Sequence, residues 1–478
     1  MSENIIRHTD LLASLPAPWP EDLFPAIGRT VAESSAKLVI LDDDPTGTQT
    51  VHGLPVLTTW RVEVLADELL TPGPGFFILT NSRSLTPPDA ARLSQEIGAN
   101  LRQAIAQTGV PLELISRSDS TLRGHFPGEV RALTRALGTP DLPCIVLPFF
   151  LEGGRLTAND IHYVAEGEIL VPAAQTPYAR DAVFGYHHSN LREWVVEKTA
   201  GSVTQEHVKS ISLEDIRGGG PRRVTQRLGA LARGDFAVVN AVAYSDLAVF
   251  VAGLLAAEAQ GQGPFVFRSA ASFVRVRAGI SPRDLLRREE LVADNRHGGL
   301  FVVGSYVPKT SAQLAALLAL NGITAIEIEV AQLLDERRQP NIIAGAVAVA
   351  DQALARGRDV VLYTSRDWVA ADDILGNLDI GRSVSQGLIA TVRRIRSQPR
   401  YIVAKGGITS SDVATQGLGV RRAMVMGQVL PGVPAWKLGP ETRWPGMAYI
   451  VFPGNVGDDN ALAAIRQRLS LSDPEHNS

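Results

Sequence analysis

Cysteine is almost missing from this 478-residue chain. Cys144 is the only one, so there is no intrachain disulfide and no thiolate metal cluster, and the composition suits a reducing compartment. Its apolar neighbours in PCIVLPFF make it a core residue. Long apolar runs are missing too. No stretch approaches the roughly 18 to 20 residues of a helical membrane span, and MSENIIRHTDLLASLPAPWPEDLF lacks the unbroken apolar segment of a secretory signal. Neither charge sign is in surplus: a net charge of −4 with 20% charged residues speaks against nucleic acid as a partner. GxxxxGK(S/T) and GxGxxG do not occur, which leaves a P-loop and a dinucleotide fingerprint unsupported. There is no repeat and no heptad seam, and self-association is left open. A cytoplasmic protein acting on small molecules is the expectation.

The length exceeds one ordinary core, and two α/β domains are expected, each on a mostly parallel sheet flanked by helices, with a ligand cleft between them. Short apolar runs at 37–41, 54–58, 75–80, 112–116, 143–149 and 236–240 read as strands of the first. Leu93, Ile97, Leu101 and Ile105 mark a helix face after the start signal Pro87, Pro88 and Asp89. The region 161–220 lacks regular patterning and reads as insertions or a lid. A second alternating series starts near Gly298, with helical segments at 309–321, 341–356, 382–397 and 458–469. The resulting division is an N-terminal arm (1–35), a first domain (36–280), a second domain (298–470) and a flexible tail (471–478).

KLVILDDDPTGTQT, 37–50, is the stretch around which the first domain is organised. An apolar run ends in Asp42, Asp43 and Asp44, followed by a turn, and ligands of open α/β sheets bind outside the carboxyl ends of strands. Three adjacent carboxylates resist joint ionisation unless a cation or donors compensate, which argues for a site rather than a solvated turn. TNSRSLT (80–86) and SRSDSTLRGHFPGE (116–129) also follow predicted strands. They bring Arg83, Arg117, Asp119, Ser120, Thr121 and Arg123 to the same edge. Guanidinium groups beside hydroxyls suit an acidic small molecule, because the planar fork matches two carboxylate oxygens. His162, alone in its stretch, reads as structural. The second half carries glycine loops after strands, GSYVPKT (304–310), AKGGITSSD (404–412), LPGVPAW (430–436) and FPGNVGDDNAL (452–462). Main-chain N–H groups freed there bind phosphate, which points to a nucleotide and nominates Gly432, Asn455 and Gly457.

DDPTG (43–47), SR (82–83), RSDSTLRG (117–124), LEGGR (151–155), GSYVPKTSAQ (304–313), KGGITSS (405–411) and PGNVG (453–457) together resemble the marks of the four-carbon acid sugar kinases, in order and through most of the chain. The resemblance implies an N-terminal sugar-acid-binding domain and a C-terminal nucleotide-binding domain. It also implies transfer of the γ-phosphate of ATP, with Mg²⁺, to the terminal hydroxyl of threonate, erythronate or their oxo forms, or of a branched oxo acid such as those of apionate breakdown. Asp43, Asp44, Arg83 and Asp119, Ser120, Thr121 and Leu122 would line the acid site; Ser305, Gly406, Gly407, Ile408, Thr409 and Gly454 would line the ATP site. Asp44 is expected to orient or deprotonate the hydroxyl, Arg83 and Arg117 to hold the carboxylate, and Ser120 and Thr121 to bind hydroxyls. Arg123 is a clamp or a structural partner of Glu129, Lys405 holds phosphate, and the metal ligands are not identified. Two rivals use the same residues. Asp42-x-Asp44-x-Thr46 fits the nucleophile pattern of haloacid-dehalogenase-type phosphatases, with Asp42 attacking, and a non-catalytic sensor of an acidic metabolite would use the same arginines.

Overall fold

The computed structural model describes residues 4–304, 307–335, 337–365, 374–454 and 456–469, with main chain alone over 374–382. Ser305, Tyr306, Asn455 and the 471–478 tail lie outside the described residues. The chain divides into two compact units, Met1–Pro282 and Arg283–Ser478.

The first unit is built on parallel strands in the order Val208–Ile211, Phe236–Val239, Cys144–Leu147, Val266–Ser269, Leu112–Arg117, Lys37–Asp42, Gly75–Leu79, Pro55–Leu57. Helices cover the faces, so these strands read as continuous apolar runs rather than alternating ones. Val39, Leu41, Phe76, Ile78, Leu114 and Val146 share one buried cluster. Helix Pro87–Thr108 starts where Thr86 accepts from the Asp89 N–H and ends at left-handed Gly109. Ile97 and Leu101 on the predicted face are fully buried. Lys37–Asp42 has Leu112–Arg117 on one side and Gly75–Leu79 on the other, the strands that follow it in sequence after the short edge strand. Its carboxyl end is thus a switch point of the sheet, where three polar loops converge.

Several expectations need correction. Strands Val208–Ile211 and Val266–Ser269 carry no unbroken apolar run; the second contains Arg268, and a charge within four residues hides a strand from apolar patterning. The region read as irregular contains Ile161–Glu166 and Ile169–Pro172, which with Arg155–Ala158 just before it and Ile6–Arg7 form a 4-stranded antiparallel sheet. It also contains helix Leu191–Lys198, capped by the Asn190 side chain. Within 1–35, helices His8–Ser14 and Phe24–Glu33 form, the second burying Ile27 and Val31.

In the second unit, strands Ile323–Ile328, Asp359–Thr364, Leu300–Val303, Ile402–Lys405 and Ala448–Phe452 run parallel in that order. The antiparallel pair Val433–Leu438 and Arg422–Leu430 continues the sheet. Pro308–Leu318, Gln339–Ala355 and Ala461–Leu469 pack as helices around it. Among the described residues no helix is long and apolar enough to cross a membrane.

Trp194 links the insertion to the first sheet. Its ring is fully buried, stacks on Phe126 at 4.9 Å and lies under Arg268. Trp194→Ala is expected to lower unfolding stability by about 3–5 kcal/mol, read as a shifted urea midpoint. An unchanged midpoint would mean that the insertion does not brace the core.

Candidate functional site

The three aspartates, alike in sequence, have different surroundings. Asp42 ends its strand with 2% of its side chain exposed and accepts from Arg117 Nη1 at 2.9 Å. Gly47 lies directly on that carboxylate: a Cβ there would come within 2.1 Å of an oxygen, so only glycine fits. Burial pushes the Asp42 carboxyl up to about 7, with Arg117 working against it and Asp43 and Asp44 adding to it. Asp43, 5% exposed, is gripped by Arg83 through Nη2 at 2.5 Å and Nε at 3.1 Å, and by Ser118 Oγ at 2.8 Å. Burial alone would raise its pKa; Arg83, Arg117 and Ser118 outweigh that and hold it below the usual range. Asp44 is the open one, with 16% of its side chain exposed. One oxygen accepts from the Thr46 N–H at 2.9 Å, and the other stands 3.7 Å from Arg83 Nη1.

Arg83 and Arg117 are therefore taken up by the protein's own carboxylates. The sequence placed both against substrate, but unlike charges brought together at adjacent strand ends pair with each other first. Arg123 is held by Asp119 at 2.7 Å and stands 3.6 Å from Asp181; Glu129 is not its partner. Thr121 Oγ1 donates to Asp119, whose pKa burial would raise but Arg123 and Arg83 hold low. Leu122 is buried in the core cluster at φ +71°, a conformation that leucine rarely adopts.

The carbonyls of this loop all turn inward. Arg268 Nη2 donates to the carbonyls of Asp119 and Arg123, at 3.0 and 3.1 Å; His162 Nε2 holds the Ser120 carbonyl at 2.7 Å, and the Tyr186 hydroxyl holds that of Thr121 at 2.8 Å. His162 is neutral, its pKa drawn down to about 3 by burial. Its Nε2 is the protonated nitrogen, since it faces a carbonyl. With the carbonyls occupied, the N–H groups of Ser120, Thr121, Arg123 and Gly124 have no protein acceptor among the described residues. Unpaired main-chain N–H groups in such a turn can receive an anion.

Beneath this layer is a small polar cavity lined by Asp43, Ser82, Ser94, Ser116 and Glu129. Burial pushes the Glu129 carboxyl up to about 7.

In the second unit, Gly406 takes φ +106° and turns the chain from strand Ile402–Lys405 into the helix that begins at Gly407. The main-chain N–H groups of Gly407, Ile408 and Thr409 open that helix, while the Ile408 side chain stands 55% exposed. Thr409 packs against Gly304. Lys405 is fully buried, 4.0 Å from the Phe452 ring centroid, and donates to the carbonyls of Pro453 and Gly454 at 2.7 and 3.1 Å. Burial, with Lys309 nearby, draws its pKa down to about 7. It braces the 453–454 turn rather than facing a ligand. Lys309 is exposed and reaches the Gly457 carbonyl at 3.0 Å, and Gln313 holds the carbonyls of Val456 and Asp458. Gly432, in the turn of the antiparallel pair, packs near Val456. Gly454 has open space where a side chain would stand. Ser305 and Asn455 lie outside the described residues.

Family models agree with this division. One described as a sugar-binding N-terminal domain matches residues 38–277, and one described as a nucleotide-binding C-terminal domain matches 300–462. The chain belongs to the four-carbon acid sugar kinase family. It is 26% identical over 306 residues to the 3-oxo-isoapionate kinase of Paraburkholderia graminis, a match that spans 60% of this chain and 63% of that one. It is 26% identical over 457 residues to the D-threonate kinase of Bordetella bronchiseptica, covering 90% of this chain and 97% of the relative. A solved Haemophilus influenzae protein of the DUF1537 family shares the fold, with a TM-score of 0.59 at 18% identity over 90% of this chain and all of that one.

Sequence reasoning missed Arg268, Lys309, Gln313 and Tyr186 as parts of these loops. GSYVPKTSAQ contained Lys309 and Gln313; Arg268 and Tyr186 lie in stretches with no motif. It read Asp42 as a candidate nucleophile, but a carboxylate capped by Gly47 and paired with Arg117 presents no open face to a phosphate ester.

Glu129 supplies a pH test. Its carboxyl is protonated in both states below about pH 4.5, and as pH rises toward about 7 the unfolded chain ionises first, so the native state loses the contribution of this group over that window. Glu129→Gln does not titrate. Its melting temperature minus that of the parent should therefore increase from pH 5 to pH 8, and a constant difference would show that Glu129 is ionised in the native state.

Proposed function

We propose that this chain is an ATP-dependent kinase that phosphorylates the terminal hydroxyl of a four-carbon sugar acid of the threonate, erythronate or oxo-tetronate type, or a branched oxo acid such as 3-oxo-isoapionate, in the cytoplasm. The observation that carries the reading is the division of labour in the aspartate triplet. Asp42 and Asp43 are neutralised by Arg117 and Arg83, and Asp44 is left open at the sheet's switch point beside the inward-turned 119–124 loop.

In this reading the loop N–H groups receive the acid's carboxylate and the Ser120 hydroxyl contacts its backbone oxygens. Asp44 accepts the hydrogen bond of the hydroxyl to be phosphorylated, which orients it and draws its proton as the new P–O bond forms. Arg83, 3.7 Å from Asp44, helps hold that carboxylate in place. The Thr46 N–H holds the opposite oxygen.

The glycine loops of the second unit fit nucleotide phosphates: free N–H groups open the 407–412 helix, Gly454 faces open space, and Lys309 supplies an exposed cation. Mg²⁺ would be held through the nucleotide's phosphate oxygens rather than by these N–H groups or the Lys309 ammonium. Among the described residues no three acidic, imidazole or thiol groups are gathered as a cage, and this ion usually takes one or two carboxylates and completes its shell with phosphate oxygens and water. When bound, it neutralises charge on the phosphates. Lys405 and Gln313 serve by fixing the 453–458 turn.

The test is ADP release in ATP and Mg²⁺ across a panel of four-carbon and branched sugar acids, with mass spectrometry of the product. Acid-dependent ADP and a product heavier by one phosphoryl group are expected; ADP release that no acid stimulates would overturn the reading. Asp44→Asn should lower turnover by about 10²- to 10⁴-fold while ADP affinity stays within about twofold. An equal loss in both would remove Asp44 from the acceptor site. Lys405→Met should weaken ADP binding measured by calorimetry and leave acid binding unchanged; the reverse pattern would place Lys405 elsewhere in the mechanism.

A further inference from the structure

We infer that Arg268, which no motif marks, is the positioning residue that gives the 119–124 loop its acid-binding shape. The inference rests on the proposed reading of that loop as the acid site. Arg268 lies on strand Val266–Ser269, between Leu112–Arg117 and Cys144–Leu147, and is fully buried. Its Nη2 donates to the carbonyls of Asp119 and Arg123, the two ends of the turn, and its guanidinium lies over Trp194 at 5.5 Å.

Among the described residues no carboxylate comes within ion-pair distance of Arg268, and its Nε and Nη1 have no hydrogen-bond partner. A dehydrated, half-satisfied cation is unfavourable for stability alone, and an apolar side chain of similar length would ordinarily serve a core better. Burial lowers its pKa to about 10, while Asp43 and Asp119, members of the acid cluster, act to raise it. Arg268 is thus electrostatically part of the site although no ligand can reach it.

Geometry gives the reason to keep the charge there. Leu122 sits at φ +71° and Gly124 at φ +126°. Such a turn persists only where the surroundings over-determine it. His162 and Tyr186 each hold one carbonyl inside the turn; the Arg123–Asp119 ion pair, Ser118 Oγ on the Arg123 carbonyl and the Leu122 N–H on the Asp119 carbonyl add to the turn, and Arg268 holds both end carbonyls from a single buried nitrogen. Without that fork the ends can separate, the carbonyls of 119 and 123 can swing outward, and the N–H groups that face the acid lose their common direction. The effect falls on acid recognition rather than on the nucleotide.

The test compares Arg268→Met and Arg268→Lys with the parent, and uses Tyr186→Phe as a milder second probe of the same turn. Replacing a buried ion by an apolar chain commonly leaves folding intact, so Arg268→Met is expected to be a folded protein. Its KM for the sugar acid should rise by about 10- to 100-fold, with a smaller change in kcat and with KM for ATP within about twofold. Arg268→Lys should recover part of the loss, since one ammonium can still hold one carbonyl. Amide hydrogen exchange of the ligand-free proteins reads the loop directly: the Leu122 amide, bonded to the Asp119 carbonyl that Arg268 holds, should exchange faster in Arg268→Met while the parallel strands keep their protection. Unchanged exchange at Leu122 would overturn the inference. So would loosened strands with equal rises in both KM values, because Arg268 would then be a general core residue. If the parent phosphorylates no acid, the function reading fails, and the exchange comparison still decides whether Arg268 holds the loop.

Discussion

Buried side-chain donors that capture loop carbonyls are the interaction on which both candidate ligand surfaces depend. In the first unit Arg268, His162 and Tyr186 take the carbonyls of residues 119, 120, 121 and 123; in the second, Lys405, Gln313 and Lys309 take those of 453, 454, 456, 457 and 458. The physical logic is the same in each. A peptide unit whose oxygen is fixed inside has its N–H aimed the other way, and a run of such units can make an electropositive surface from main chain alone. Most of these donors are themselves buried, so the arrangement does not depend on the rotamers of long exposed side chains.

The same constraint explains how three aspartates can stand in a row. Asp42 is neutralised by Arg117 and by partial protonation, Asp43 by Arg83 and Ser118, and Asp44 by partial exposure and a main-chain N–H. Each uses a different compensation for like charges at close range. The result is one carboxylate free for chemistry and two that lock neighbouring loops to it: Arg83 carries the 80–86 loop, and Arg117 leads into the 118–124 loop. The arginines expected to meet the substrate are paired with internal aspartates and build the frame.

Much of the architecture was legible beforehand because it depends on local signals. The apolar run Leu38–Leu41, the start signal Pro87, Pro88 and Asp89 and the face Leu93, Ile97, Leu101 and Ile105 are written in adjacent residues, and the structure follows them to within a residue or two. Strand Val266–Ser269 was illegible because its arginine is buried by tertiary partners that lie far away in sequence: Asp119, Arg123 and Trp194. The small antiparallel sheet was hidden for a related reason. Its strands are short, and one of them pairs with Ile6–Arg7, more than 150 residues earlier in the chain.

By itself the sequence determined the family, the α/β class and the strand-end loops that make the candidate site, since ordered motifs at strand ends can be recognised without knowing what each side chain touches. Only the tertiary structure decided the roles within those loops. Whether an arginine binds a ligand or pairs with an internal aspartate, whether Lys405 faces a phosphate or braces a turn, and which of three identical carboxylates is open all depend on burial and on partners distant in sequence. Those are set when strands align side by side, and no local pattern of residues carries them.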